Sequence, residues 1–188
     1  DHEPMAKAHA QNLSVLHIFL FEPLYKNHPS WSLRHWQAQY QSALELQQRL
    51  FQKQQSLLLL FGSAADVFSA LHQQLKIRNL FSHQETDVES SYQRDKDLQI
   101  FLKKNCITWH EYVQNGVFRG RKNRAHWDED WRHFMQAQQT QVQFQSPSGL
   151  DPIILEGLKK KFAIPESLKK QLSVYPRAFQ AIGEKAGQ

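Results

Sequence analysis

Three residues that close predicted strands, Glu22, Glu85 and Asn115, and four cations within six positions, Arg119, Arg121, Lys122 and Arg124, are the side chains best placed to do chemistry. A carboxylate or amide at the carboxyl end of a parallel strand faces the crevice where open α/β sheets hold ligands. There it can accept hydrogen bonds from the N–H edge of a flavin- or pterin-like ring. Glu85 has an equal alternative, in which it caps the following helix or pairs with Arg94. Within Tyr92-Gln93-Arg94-Asp95, on the same helix, Arg94 and Asp95 are open to a structural salt bridge. For residues 119–124 the choice lies between a solvated loop and contact with phosphate, either of DNA or of a cofactor.

Other chemistries find no support. No Gly-x-Gly-x-x-Gly follows a strand and no Gly-Lys-Ser/Thr occurs, so both glycine fingerprints of phosphate binding are missing. Gly62-Ser63-Ala64-Ala65-Asp66 could offer helix-terminal amides to an anion, but a glycine there more often only lets the chain turn. None of the ten histidines stands in His-Glu-x-x-His, and one thiol cannot build a structural zinc site. Cys106 is expected at the start of an apolar strand, as inert core. No paired carboxylates and no Ser-His-Asp set emerge for acid–base or acyl-transfer chemistry.

Those residues need elements to hold them. At 188 residues, 40% apolar and 12% aromatic, the chain suits one domain with a sizeable core. Lys and Arg exceed Asp and Glu by 23 to 18, and the pI near 9.3 suits a polyanionic partner as well as it suits a solvated surface. A single cysteine, no apolar run of membrane-spanning length and no signal-peptide pattern lead to the expectation of a soluble, cytoplasmic protein. The start without Met leads to the expectation that something upstream is missing from this numbering.

Hydrophobic periodicity predicts a short helix over 4–12 and a strand over 13–21 with the pattern of burial on both faces. A helix capped by Ser30 or Ser32 then runs to about 55. Strands follow at 57–61, 78–83 and 107–112, separated by helices at 66–76 and 90–104, and one more helix occupies 127–138. This rhythm implies a parallel sheet with helices on both faces. Residues 139–152 read as a linker. Beyond them, Ile153, Leu155, Leu158, Phe162 and Ile164 are too few for a core of their own and could dock on a larger partner surface.

Several short motifs, in fixed order, resemble the N-terminal antenna domain of the DNA photolyase and cryptochrome family. They are Asp1-His2-Glu3-Pro4-Met5, Phe19-Leu20-Phe21-Glu22-Pro23, Ser32-Leu33-Arg34-His35-Trp36, His83-Gln84-Glu85-Thr86, Tyr92-Gln93-Arg94-Asp95, Gln114-Asn115-Gly116-Val117 and the segment 119–127. The resemblance covers 1–138 as the α/β domain and 139–188 as interdomain linker and tail. It implies a Rossmann-like, doubly wound parallel sheet in the order 3-2-1-4-5 whose first strand lies before Asp1. Some chain must then fill the middle of that sheet.

The resemblance further implies a light-harvesting and scaffold domain, with Glu22, Arg34, Glu85 and Asn115 as cofactor-binding residues. Arg119, Arg121, Lys122 and Arg124 would touch nucleic acid or a neighbouring domain. A flavin, deazaflavin or lumazine antenna is favoured over folate, because folate-using members carry Asn-Glu where this chain has Ser90-Ser91. FAD and the damaged-DNA pocket would belong to a C-terminal helical domain of the same parent, so residues 1–188 alone would not repair DNA. The alternatives are a structural and interaction domain without an antenna and, less favoured, an independent nucleotide-binding α/β protein.

Overall fold

Short apolar runs become strands here because each finds a parallel partner, and the amphipathic segments between them become the covering helices. The computed structural model describes residues 2–25, 28–29, 31–145 and 149–174. In chain order the elements are α1 (Glu3–His9), β1 (His17–Phe21), α2 (Leu33–Gln52), β2 (Leu57–Phe61), α3 (Ala64–Leu75), β3 (Asn79–His83), α4 (Glu89–Lys104), β4 (Thr108–Tyr112), α5 (Trp127–Gln136), α6 (Pro152–Lys161) and α7 (Glu166–Leu172). The expected α/β alternation is therefore present. β1 pairs with β2 in parallel, His17 opposite Leu57 through Phe21 opposite Phe61. β3 pairs with β4 in the same sense, Asn79 opposite Thr108 through His83 opposite Tyr112. No helix among the described residues is long and apolar enough to cross a membrane.

The chain divides into two compact units, Asp1–Leu13 with Lys76–Gln145, and Ser14–Leu75 with Ser146–Gln188. In the second, the core gathers Phe21, Trp36, Tyr40, Ala43 and Leu172. The Phe21 ring stacks on Trp36 with centroids 6.2 Å apart. Ser32 is the N-cap of α2, its N–H donating to His35 Nδ1 at 3.0 Å; the other candidate cap, Ser30, lies outside the described residues. The surface that takes up the tail is the chain's own. Leu158, Phe162 and Leu172 are buried, the Phe61 N–H donates to the Phe162 carbonyl at 2.8 Å, and Gln37 donates to the Gln171 carbonyl at 2.8 Å. Residues 175–188 lie outside the described part.

In the first unit, α1 packs on β3 and β4, and α4 packs on β4, with Leu98, Leu102 and Ile107 buried. His9 is buried against Phe144, ring centroids 5.1 Å apart. Helices α2 and α4 end in the same device. The Gln55 N–H reaches back to the Leu50 carbonyl and the Ile107 N–H to the Leu102 carbonyl, both at 2.9 Å. Gln54 (φ 58°) and Cys106 (φ 55°) supply the left-handed residue that this six-to-one closure requires.

Two local expectations are corrected by these terminations. Cys106 is exposed rather than core, because it forms the helix stop one residue before the buried Ile107. β1 begins at His17 rather than at 13, because its partner is still leaving α2 through Gln54 and Gln55 and offers no ladder before Leu57. Burial on both faces is likewise incomplete: only His17 and Phe21 of β1 are fully buried.

Candidate functional site

In the first unit the chain leaves β3 with one more ladder bond, Gln84 N–H to the Tyr112 carbonyl at 2.8 Å. Glu85 follows at the strand end. Its Oε1 accepts from the amides of Thr86 and Asp87, each at 2.9 Å. Its Oε2 accepts from Arg94 Nη2 at 2.9 Å, and Arg94 Nε donates to Asp95 Oδ1 at 2.9 Å. Of the two structural alternatives for Glu85, the pairing with Arg94 holds, whereas it does not cap α4: its carboxylate closes the turn at Thr86 and Asp87, ahead of the N-cap residue Val88, which carries no side-chain cap bond. Arg119 completes the network by donating to the Glu85 carbonyl at 3.2 Å and to Glu111 Oε1 at 2.9 Å.

Three carboxylates, Glu85, Asp95 and Glu111, therefore share two guanidiniums, Arg94 and Arg119. Asp95 sits at the buried end of this set, and its pKa is pushed up to about 6. Burial is the largest cause, opposed by Arg94 and reinforced by the negative charges of Glu85 and Glu111.

Beside the network opens a cavity of about 270 Å³ whose lining includes Glu85, Asp87, Glu89, Tyr92, Val117 and Arg119. Cations lie against the Tyr92 ring, Lys96 Nζ at 4.4 Å and Arg119 Cζ at 5.9 Å from its centroid. The volume lies just below the usual range for ligand pockets, and the site is an open cleft on the surface of this unit. Tyr92 falls inside the helix expected over 90–104, whereas Glu89 precedes that expectation and joins α4 only in the structure, where the two lie three apart on one face. Their place in the cavity wall depends on Val117 and Arg119 coming back from beyond β4.

Asn115 stands in a tight turn. The Val117 N–H donates to the Gln114 carbonyl at 3.0 Å, and both central residues have positive φ, Asn115 at 57° and Gly116 at 67°. That is the requirement of a type I′ turn, which Asn-Gly meets best. Asn115 is exposed at the tip and does not line the cavity. Gly116 is covered by α5: a Cβ there would meet Trp131 Cδ1 at 2.7 Å.

In the loop beyond, Arg121 pairs with Asp130 and donates to the Ala125 carbonyl at 2.8 Å. Arg119 and Arg121 are thus engaged within the unit. Lys122 and Arg124 are exposed, and neither forms an ion pair among the described residues.

The second unit holds the other two candidates. Glu22 follows β1, is buried, and accepts from the Ala64 N–H at 3.2 Å. Its carboxylate occupies the place an anion would take at the start of α3. Ser63 Oγ serves the same helix end, accepting from the Asp66 N–H at 3.2 Å and donating to Asp66 Oδ2 at 2.6 Å. The turn at Gly62 is accordingly filled by the chain's own side chains. Arg34 lies exposed in the first turn of α2.

Residues 1–139 match the family model of DNA photolyase. No curated protein matches the chain. Among solved structures, the crystal structure of the archaeal photolyase from Sulfolobus tokodaii with two FAD molecules superposes with a TM-score of 0.65 at 18% identity. The match covers 95% of this chain and 40% of that one, and the description of that photolyase speaks of a novel light-harvesting cofactor. At that identity the likeness establishes the fold.

Proposed function

Because this chain belongs to the DNA photolyase family, we propose that it is the light-harvesting and scaffold domain of a flavin-dependent photolyase or cryptochrome. The observation that carries the proposal is the cavity beyond the ends of the parallel strands β3 and β4, where ligands of open α/β sheets collect. Tyr92 offers a ring face, Val117 an apolar contact, and Asp87 and Glu89 acceptors for N–H groups of a ring edge. A chromophore held there would harvest light for FAD bound in a helical domain of the same parent. The residues of this chain would bind and orient it, and they make or break no bond.

A flavin, deazaflavin or lumazine is favoured over folate because Ser90 and Ser91 stand at the positions of the folate motif. The two FAD molecules of the archaeal photolyase support a second flavin by analogy. Damaged DNA is met through the parent, in the cytoplasm.

One observation favours the structural reading without an antenna: the carboxylates of Glu22 and Glu85 are already engaged by backbone amides and Arg94. Absorbance and mass spectrometry of chromophore released from the purified full-length protein separate the two. A second chromophore that Tyr92→Ala strips while FAD remains supports the antenna. A single FAD per chain and no other chromophore, before and after the substitution, supports the structural domain. An independent nucleotide-binding protein is disfavoured by Glu22 filling the α3 terminus, and nucleotide titration calorimetry tests it.

A further inference from the structure

Helix α5 separates its residues by polarity yet buries none of them. At 3.6 residues per turn Trp127, Trp131, Phe134 and Met135 fall within roughly a 100° arc, and Asp128, Glu129, Asp130, Arg132 and His133 occupy the rest. Phe134 is turned toward the loop, edge-on to Phe118 with centroids 6.3 Å apart, and Trp131 rests on Gly116. Trp127 and Trp131 stack on each other, 6.4 Å between centroids and 21° between planes. Trp127 is 48% exposed and Met135 56%, with Val117, Phe118 and Trp131 between 37% and 44%. Five side chains of about 200 Å² each at these fractions leave roughly 450 Å² of apolar surface open, the size of patch that marks an interaction site.

The rim argues for the kind of partner. Asp128 pairs with Arg132 at 2.6 Å, Asp130 with Arg121, and Glu129 with His126 at 3.0 Å. An aromatic and methionine centre whose rim carboxylates Asp128 and Asp130 are each paired with an arginine is the make-up of a protein contact. A nucleic-acid contact would instead present free cations, and only Lys122 and Arg124 of this segment remain so. The area argues for a tethered partner. A free partner needs about 800 Å² on each side, and this patch has about half of that, which suffices when a covalent link supplies an effective concentration in the millimolar range.

We propose that the Trp127–Trp131–Met135 stripe is the seat of a further domain carried on the same parent polypeptide. This rests on the function proposed above, and it adds which surface of the α/β domain the helical domain covers. The matched photolyase fits the arrangement, since this chain spans only 40% of its length.

Hydroxyl-radical footprinting of the full-length, FAD-containing protein tests the proposal, with Phe51, 79% exposed, as the open reference. Relative to its intrinsic reactivity, Trp127 should be oxidised about fivefold more slowly than its 48% exposure here would allow, the drop to an interface core. Trp127→Glu places a carboxylate in the first turn of α5, where the helix tolerates it, and should restore fast oxidation of Met135. Fast oxidation of Trp127 and Met135 in a protein that retains FAD overturns the assignment of the surface and leaves the proposed function standing. Protection that disappears on dilution, or is present only with added single-stranded DNA, overturns it in favour of a second copy or a nucleic acid. A full-length protein with neither FAD nor a further domain overturns the proposed function, and this inference with it.

Discussion

Gly116→Ala tests how the turn after β4 holds α5. Gly116 has φ 67°, and an alanine in the left-handed region costs about 1–2 kcal/mol. Its Cβ would also lie 2.7 Å from Trp131 Cδ1, against an optimum of about 3.5–4.0 Å. The indole or the whole of α5 must move by nearly an ångström. Overpacking of that kind costs about 1–3 kcal/mol, and the low end applies because Trp131 is 38% exposed and α5 can swing outward.

The expected loss is therefore about 2–3 kcal/mol, read by urea denaturation with tryptophan fluorescence as the probe. Gly116→Asn separates the causes, because asparagine tolerates positive φ but still carries a Cβ, and it should lose only about 1 kcal/mol. In a double-mutant cycle, Trp131→Ala should remove the overlap and leave the backbone cost, giving a coupling of about 1 kcal/mol. Coupling within about 0.3 kcal/mol of zero, with Gly116→Asn as damaging as Gly116→Ala, would refute the reasoning.

Asp95 should make stability depend on pH in the less common direction. With its pKa raised from 3.8 to about 6 in the fold, the native state holds the proton more tightly than the unfolded chain, so stability rises as pH falls from about 6 toward 4. Asp95→Asn should abolish that rise in urea midpoints measured across this range. His2 and His83 act oppositely. Their rings meet edge-on at 4.7 Å, and burial first, then for His2 the charge of His83, lowers their pKa values. The unfolded chain takes the proton first, so the contribution of these two rings to stability falls as pH drops below 6.5 and opposes that of Asp95, which is why each arm is read as the difference between variant and parent. His2→Asn keeps a cap for α1, whose Met5 amide now donates to His2 Nδ1 at 3.1 Å, and should flatten this arm in the same titration. For DNA binding, Arg121 is held by Asp130, so the informative pair is Lys122→Ala with Arg124→Ala. In the full-length protein the salt dependence of DNA affinity should weaken by about one unit of slope for each phosphate no longer neutralised, and an unchanged slope would eliminate a phosphate role for both.

What the sequence determined by itself was local. The runs at 57–61, 78–83 and 107–112 are short and carry apolar or aromatic residues, and the helices between them carry their apolar residues at helical spacing. Such patterns survive whatever the tertiary setting, and the family motifs are legible for the same reason, being short and contiguous. The tertiary structure decided everything that needs a partner distant in the chain. β1 starts where Leu57 becomes available and not where its apolar run begins.

The candidate site followed the same division. Glu85 could have faced a ligand or its own helix, and Arg94 nine residues on and Arg119 thirty-four residues on resolved its bonding. Glu22 reached an amide forty-two residues away at the head of α3. Of the tail residues too sparse for a core of their own, Leu158 and Phe162 were buried against the second unit's strands and helices, with Leu172 beside them, while Ile153 stayed exposed. Propensity acts between neighbours in sequence, whereas desolvation and ion pairing are settled by which groups the fold brings within a few ångströms. Strands and helices were therefore legible from composition, and the roles of their terminal charges became visible only in the folded chain.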